Sequence, residues 1–328
     1  MINIFYHPIY HLSRKKLFTF EFKKSLFLNI FIRLAFIFNM FINDNLITSG
    51  PHKRMNNLIK TFRNDKRFIF NKLNYRNSYL VQFDKYGEKI LKRLILKYSD
   101  NQKILIGPLY DLRYEDKLNK YIKDYPFIKK VVASQKVYES QLYDLSFDNS
   151  KNQLVVMPSG VIEESKLLKD RKNIEQGTCL IYFKNRKKDE LDQVIKLVES
   201  KGIKPYVLSY GVYSNSDLLR ISRKVEFGII LTGTESQGFA IQDLMANNLP
   251  LFVWDKTVNY YEDLELRGTS VSFWDDRCGM IVSELKTFEN NLDDFYINLD
   301  KFSPVELIRE ELTFEVFKKN LLEQFKLF

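Results

Sequence analysis

The stretch Thr232 to Asp255, reading TGTESQGFAIQDLMANNLPLFVWD, restricts the fold more than any other part of this 328-residue chain. The apolar run Phe227 to Leu231 leads into a short turn bearing a glycine, a helix-compatible segment follows, and a second apolar run, Leu249 to Trp254, closes the stretch. Short apolar runs on either side of a helix make the repeating unit of a parallel sheet. Such a unit presents the first backbone N–H groups of its helix, near Ser236, Gln237, Gly238 and Phe239, at the carboxyl end of the sheet. Those donors and the positive end of the helix dipole favour an anion, typically a phosphate. Glu235 lies just before the helix and Asp243 about two turns further on, so both carboxylates fall on the ligand side, placed to accept hydrogen bonds from sugar hydroxyls.

Glu235, Gly238, Phe239, Ala240, Met245, Ala246, Pro250 and Leu251 follow a pattern of Glu-x-x-Gly-Phe, a small-residue helix and a Pro-hydrophobic strand. On these residues the chain resembles the GT-B glycosyltransferases, particularly the retaining, family-4-like enzymes, whose mark is a Glu, seven residues, then a second Glu. Here the second acid is Asp243, which keeps the charge and loses reach. The resemblance extends more weakly over about residues 100 to 255. It implies an α/β fold of two Rossmann-like domains with a cleft between them and a C-terminal helix crossing back. The expected division is an acceptor domain at 1–165, a nucleotide-sugar donor domain at 166–303 and a crossing helix at 304–328.

The same resemblance implies roles. Glu235 hydrogen-bonds the donor sugar, Ser236 to Phe239 hold the diphosphate, and Asp243 holds the ribose. Lys184 and Arg186, just past the strand Thr178 to Phe183, neutralise the leaving group. A nucleoside diphosphate gains negative charge as the glycosidic bond breaks, and fixed cations offset it. The bidentate fork of a guanidinium ranks Arg186 first. Tyr210 either stacks on a base or ribose or packs in the core, and Gly211 lets backbone approach closely. In the first domain Gly50, His52 and Lys53 occupy a turn that borders the cleft by position, with His52 a catalytic candidate beside Glu235; the alternative is an ordinary turn with a surface histidine.

Charge is uneven along the chain. Residues 1–80 carry 14 Lys+Arg against Glu21, Asp44 and Asp65, so the formal +10 of the whole chain belongs to its beginning. A localised positive face suits an anionic membrane surface or a polyanionic acceptor. No nucleic-acid recognition motif accompanies it, so nucleic acid is not expected as a partner. The basic stretch Ser13 to Lys24 precedes an apolar run, Ser25 to Ile42, which reads equally as a membrane-interface helix or a core helix of the first domain; the 13–42 region is an insert in either case. Arg33 in its middle disfavours a transmembrane span.

Two cysteines, Cys179 and Cys278, make no disulfide framework and suit a reducing cytoplasm, with peripheral attachment at the inner face of the membrane. Three histidines, all near the start, and the absence of an Asp-x-Asp pair argue against a metal site. Walker, Gly-x-Gly-x-x-Gly and nucleophile-elbow motifs are also missing. The expected ligands are therefore a nucleotide-sugar and a cell-envelope glycan or lipid-linked acceptor, with no cofactor.

Elsewhere strands are expected at Ile2 to Tyr10, 46–48, Phe68 to Phe70, Tyr79 to Phe83, Lys103 to Ile106, Lys130 to Ala133, Leu154 to Val161 and Pro205 to Leu208. Helices are expected at 84–98, 113–123 and 214–223. After Asp255 the pattern suggests a strand at Ser270 to Trp274 and a helix at Cys278 to Leu285. Ser303-Pro304-Val305-Glu306 reads as a capping box opening an amphipathic helix to residue 325.

Overall fold

Alternation of short apolar runs with helix-period segments produces two parallel sheets. The computed structural model of the chain describes residues 1–6, 50–98, 102–109, 114–144, 153–168, 170–261 and 264–326. Within these, 1–6, 51–160 and 317–326 form one compact unit, and Gly50 with 161–316 a second. The expected division after residue 165 thus compares with one after Gly160.

The first unit contains β1 (Ile2–Phe5), α1 (Gly50–Phe62), β2 (Phe68–Phe70), β3 (Ser78–Val81), α2 (Lys85–Ile95), β4 (Ile104–Ile106), α3 (Glu115–Asp124), β5 (Ile128–Val132), α4 (Gln135–Asp144) and β6 (Leu154–Val156). The strands run in parallel in the order β2-β1-β3-β4-β5-β6. Successive strand side chains point to opposite faces, and this sorts them into two cores. Ile2, Ile4, Leu80 and Leu105 pack with Met55, Leu58 and Phe62 of α1, whereas Tyr79, Val81, Ile104 and Ile106 pack with helices α2 and α3. Buried Arg54 on α1 joins the strand ends, donating from Nε to the Ser159 hydroxyl at 2.6 Å and from Nη1 to Gln82 Oε1 at 2.8 Å.

The second unit contains β7 (Glu175–Lys184), α5 (Lys188–Ser200), β8 (Lys204–Ser209), α6 (Asn215–Ser222), β9 (Val225–Thr232), α7 (Phe239–Ala246), β10 (Leu251–Trp254), β11 (Val258–Tyr261), β12 (Leu264–Arg267), β13 (Gly279–Val282), α8 (Leu285–Ile297) and α9 (Pro304–Glu311). Its main sheet is parallel, in the order β13-β10-β9-β7-β8. Leu180, Tyr182 and Ile230 face α6, α7 and α9; Cys179, Ile181, Ile229 and Leu231 face α5 and α8. The last helix, α10 (Phe314–Lys326), sends Phe317, Leu321 and Phe325 into the first unit's core.

Several local expectations change. Residues 270–274 are not a strand, and Cys278 to Leu285 is not a helix: Gly279–Val282 is an edge strand beside β10. The antiparallel hairpin β11–β12 had no expected counterpart. Ser303 makes no side-chain cap bond, so the capping box is absent, although Pro304 does open α9. The single helix expected to residue 325 breaks at Leu312 and Thr313, because Leu312 C=O accepts from Val161 N–H and Phe314 N–H donates to Ile162 C=O. The helix expected near His52 starts at Gly50, taking in the expected turn. The end of the opening strand, the 13–42 insert and the strand at 46–48 lie outside the described residues. No helix among the described residues is long and apolar enough to cross a membrane.

Candidate functional site

In an open parallel sheet, ligands bind beyond the carboxyl ends of the strands at the point where strand order reverses. In the second unit that point lies between β7 and β9, because the chain leaves β7 for β8 on one side and adds β9 on the other. The register pairs Lys184, the last residue of β7, with Thr232, the last of β9. Glu235 follows three residues later, and its carboxylate meets the Lys184 ammonium at 2.6 Å from Oε1 and 2.8 Å from Oε2. The pair keeps 20% and 10% of its side-chain surface, so it is shielded yet within a ligand's reach. Tyr210, just past β8, sets its ring 4.8 Å from the same Lys184 Nζ and is itself exposed. Gly211 then turns the chain at φ 83, a left-handed conformation that favours glycine.

The Glu235 backbone is held on both sides. Its N–H donates to Thr269 C=O at 2.8 Å, and the Ser272 hydroxyl donates to its carbonyl. Asp255, at the end of β10, fixes that strap by accepting from Ser270 N–H at 2.6 Å and the Thr269 hydroxyl at 2.9 Å. Sequence inspection missed Asp255, Thr269 and Ser272; a lone acid and scattered hydroxyls carry no periodic signal. It also missed Tyr182 and Tyr213, whose hydroxyls lie 3.3 Å apart. Burial pushes the Tyr213 phenol up to about 12, and burial followed by the charge of Tyr213 raises Tyr182 further. The Glu235 charge adds to both shifts, so each phenol keeps its proton at neutral pH.

Helix α7 begins at Phe239, later than expected, with Gly238 left-handed at φ 76 before it. Ser236, Gln237 and Gly238 are therefore a turn, and the first intrahelical bond runs from Gln242 N–H to Gly238 C=O at 3.0 Å. Ser236 is exposed, whereas Gln237 turns inward and its amide donates to Gln242 Oε1 at 3.2 Å. Asp243 sits buried in the second turn of α7.

Arg186 is enclosed by protein groups. Its side chain is 1% exposed, bidentate to Glu190 at 2.8 and 3.1 Å, and donates to Trp254 C=O at 2.9 Å and Thr232 C=O at 3.3 Å, with its guanidinium over the Trp254 ring. The guanidinium ties α5 to the ends of β9 and β10, and Lys184 is the cation beside Glu235. Gly50, His52 and Lys53 fall in the first turn of α1. Burial, then the charge of Lys60, pushes the Lys53 ammonium down to about 7. No group of three His, Cys, Asp or Glu among the described residues is arranged to hold a metal ion.

No family model matches the sequence, and no curated protein matches it. Among solved structures, the apo form of the lipopolysaccharide outer core galactosyltransferase WaaB aligns with a TM-score of 0.50 at 12% identity, covering 92% of this chain and 81% of that one. The fold is GT-B. Two larger proteins align at lower scores. A mutant of S. aureus TarM, in complex with Fondaparinux, alpha-GlcNAc-glycerol and UDP, gives a TM-score of 0.49 at 9% identity over 76% of this chain. The pneumococcal O-GlcNAc transferase GtfA, with UDP and GlcNAc, gives 0.47 at 10% identity over 85%. This chain spans 55% and 60% of those two chains. In GT-B terms, Lys184, Tyr210 and Glu235 come together in the second Rossmann-like unit, while Gly50, His52 and Lys53 belong to α1.

Proposed function

We propose that the chain is a glycosyltransferase that moves a sugar from a nucleotide-sugar to a cell-envelope glycan or lipid-linked acceptor, with retention of anomeric configuration. The observation that carries this is the Lys184–Glu235 ion pair at the strand-order reversal of the second sheet, beside the Tyr210 ring. Such a site supplies what the reaction needs. Lys184 and the N–H groups opening α7 offset the charge that grows on a departing diphosphate. Glu235, its backbone clamped by Thr269 and Ser272, accepts hydrogen bonds from the sugar hydroxyls. Tyr210 and Gly211 border the base, and Asp243 is the acid proposed for the ribose. His52 and Lys53 are proposed on the acceptor side. WaaB acts on the lipopolysaccharide outer core, which supports an envelope glycan as acceptor class. The reaction proposed uses no obligatory metal, and the enzyme is proposed to work in the cytoplasm, peripherally attached at the inner face of the membrane.

The test is thermal stabilisation by UDP, GDP, ADP, CMP and their sugars. A ligand at 100 times its Kd adds about 2.7 kcal/mol to the folded state. One nucleotide raising Tm in the wild type and clearly less in Lys184→Ala is the expected result; no shift with any of them overturns the proposal. A second reading, a GT-B binding module without turnover, draws on Asp243, which is both buried and shorter than the family's Glu. Loss of sugar transfer in Glu235→Ala, with nucleotide binding retained, would exclude it.

A further inference from the structure

Lys184 holds two partners at once: both carboxylate oxygens of Glu235 and the face of the Tyr210 ring. Each of the three residues has a ligand-directed role in the function proposed above, and each is masked by another. The carboxylate meant for sugar hydroxyls is bonded through both oxygens to an ammonium. The ring meant for a base lies under that ammonium, and the ammonium meant for phosphate already has its counter-ion.

We infer that Lys184 is a specificity-determining residue that makes Glu235 and Tyr210 available only to a ligand carrying a diphosphate. This rests on the glycosyltransferase reading of the site. An ammonium is a compact point charge on a flexible stem, so it changes partner by rotating, which the fixed fork of a guanidinium does poorly. A diphosphate competes with the single charge of Glu235 for Lys184. As Lys184 moves to the phosphates, Glu235 gains unoccupied lone pairs and the Tyr210 face is uncovered. A free monosaccharide offers no charge in exchange and finds Glu235 closed. The strap through Thr269 and Ser272 holds the Glu235 backbone still during this exchange, so that the change is confined to side chains.

A double-mutant cycle separates exchange from simple repulsion between Glu235 and the phosphates. Kd is measured by calorimetry for wild type, Glu235→Gln, Lys184→Met and the double variant, using UDP or GDP, whichever stabilises the wild type. If Lys184 must leave Glu235 to bind phosphate, Glu235→Gln tightens nucleoside diphosphate binding about tenfold when Lys184 is present and by clearly less in the Lys184→Met background. If Lys184 instead bridges Glu235 and phosphate together, it screens their repulsion, and the gain is larger in the Met background. That order, or no tightening in Glu235→Gln, overturns the inference while leaving nucleotide binding intact. Failure of every nucleoside diphosphate to bind the wild type would instead remove the functional proposal on which it rests.

Discussion

Lys184 and Arg186 stand two positions apart, and the fold gives them different surroundings. Arg186 is enclosed with Glu190 and the carbonyls of Thr232 and Trp254, so Arg186→Ala leaves a part-buried carboxylate and two carbonyl acceptors without the guanidinium donor. Breaking such a pair costs about 3 kcal/mol, and urea denaturation should register that loss even if nucleotide binding per folded molecule is unchanged. Lys184→Ala should shift the midpoint much less and act on binding. The chemistry that ranked the guanidinium first as a phosphate ligand, a planar fork of donors, equally suits two strand-end carbonyls and a carboxylate. Residue type and position could not separate the two uses. The cysteines give a second residue-scale expectation. Burial pushes both thiols up to about 12, so neither Cys179 nor Cys278 should react with iodoacetamide at pH 8 until the protein unfolds, as mass spectrometry would detect.

Among the elements, β13 shows how a short apolar run changes type. Three apolar residues between a glycine and a serine fit a helical turn or a strand equally, and periodicity does not arbitrate at that length. Gly279 decides: at φ 138 it lies where a side chain's Cβ would sit 1.9 Å from Leu251 O, so the strand enters the sheet edge by close backbone approach to β10. Gly279→Ala should therefore cost about 3 kcal/mol or more from strain and displaced pairing, seen as a lower denaturation midpoint; an unchanged midpoint would mean that this approach is not needed for pairing. The strands of the two sheet centres were legible because they are continuous apolar runs buried on both faces. The β11–β12 hairpin was not, since its sequence VNYYEDLELR has neither a helix period nor a two-residue turn signal.

For the molecule as a whole, the return of α10 to the first unit matters most. Phe317, Leu321 and Phe325 join Phe62 and Phe68 in one core, and Lys318 reaches Asp65 at 2.5 Å. Asp65 also accepts from Arg67, whose hydrogen bond is the main cause, with Lys318 adding, of a carboxyl held well below the ordinary 3.8. A depressed native pKa means that the unfolded chain binds the proton more readily. The contribution is therefore complete above the ordinary value and is lost as pH falls through the native one. Asp65→Asn should flatten the acid limb of the stability curve below about pH 4 and leave the slope near pH 7 unchanged, as urea titrations at a series of pH values would show.

Two parallel sheets and the position of the central strand–turn–helix–strand unit followed from the sequence alone, because burial on both faces demands continuous apolar runs and a parallel connection demands a helix. Glu235 stands out as a candidate site residue on its local pattern alone. Tertiary structure alone decided the partners. That Lys184 and not Arg186 meets Glu235 depends on β7 lying beside β9, a pairing of residues far apart in the chain. That Thr269 and Ser272 hold the Glu235 backbone depends on where the chain returns after an insert that has no periodic signature. Hydrophobic patterning specifies which residues are buried, but contacts at the strand ends are made by polar side chains, whose partners are set by the topology that carries them.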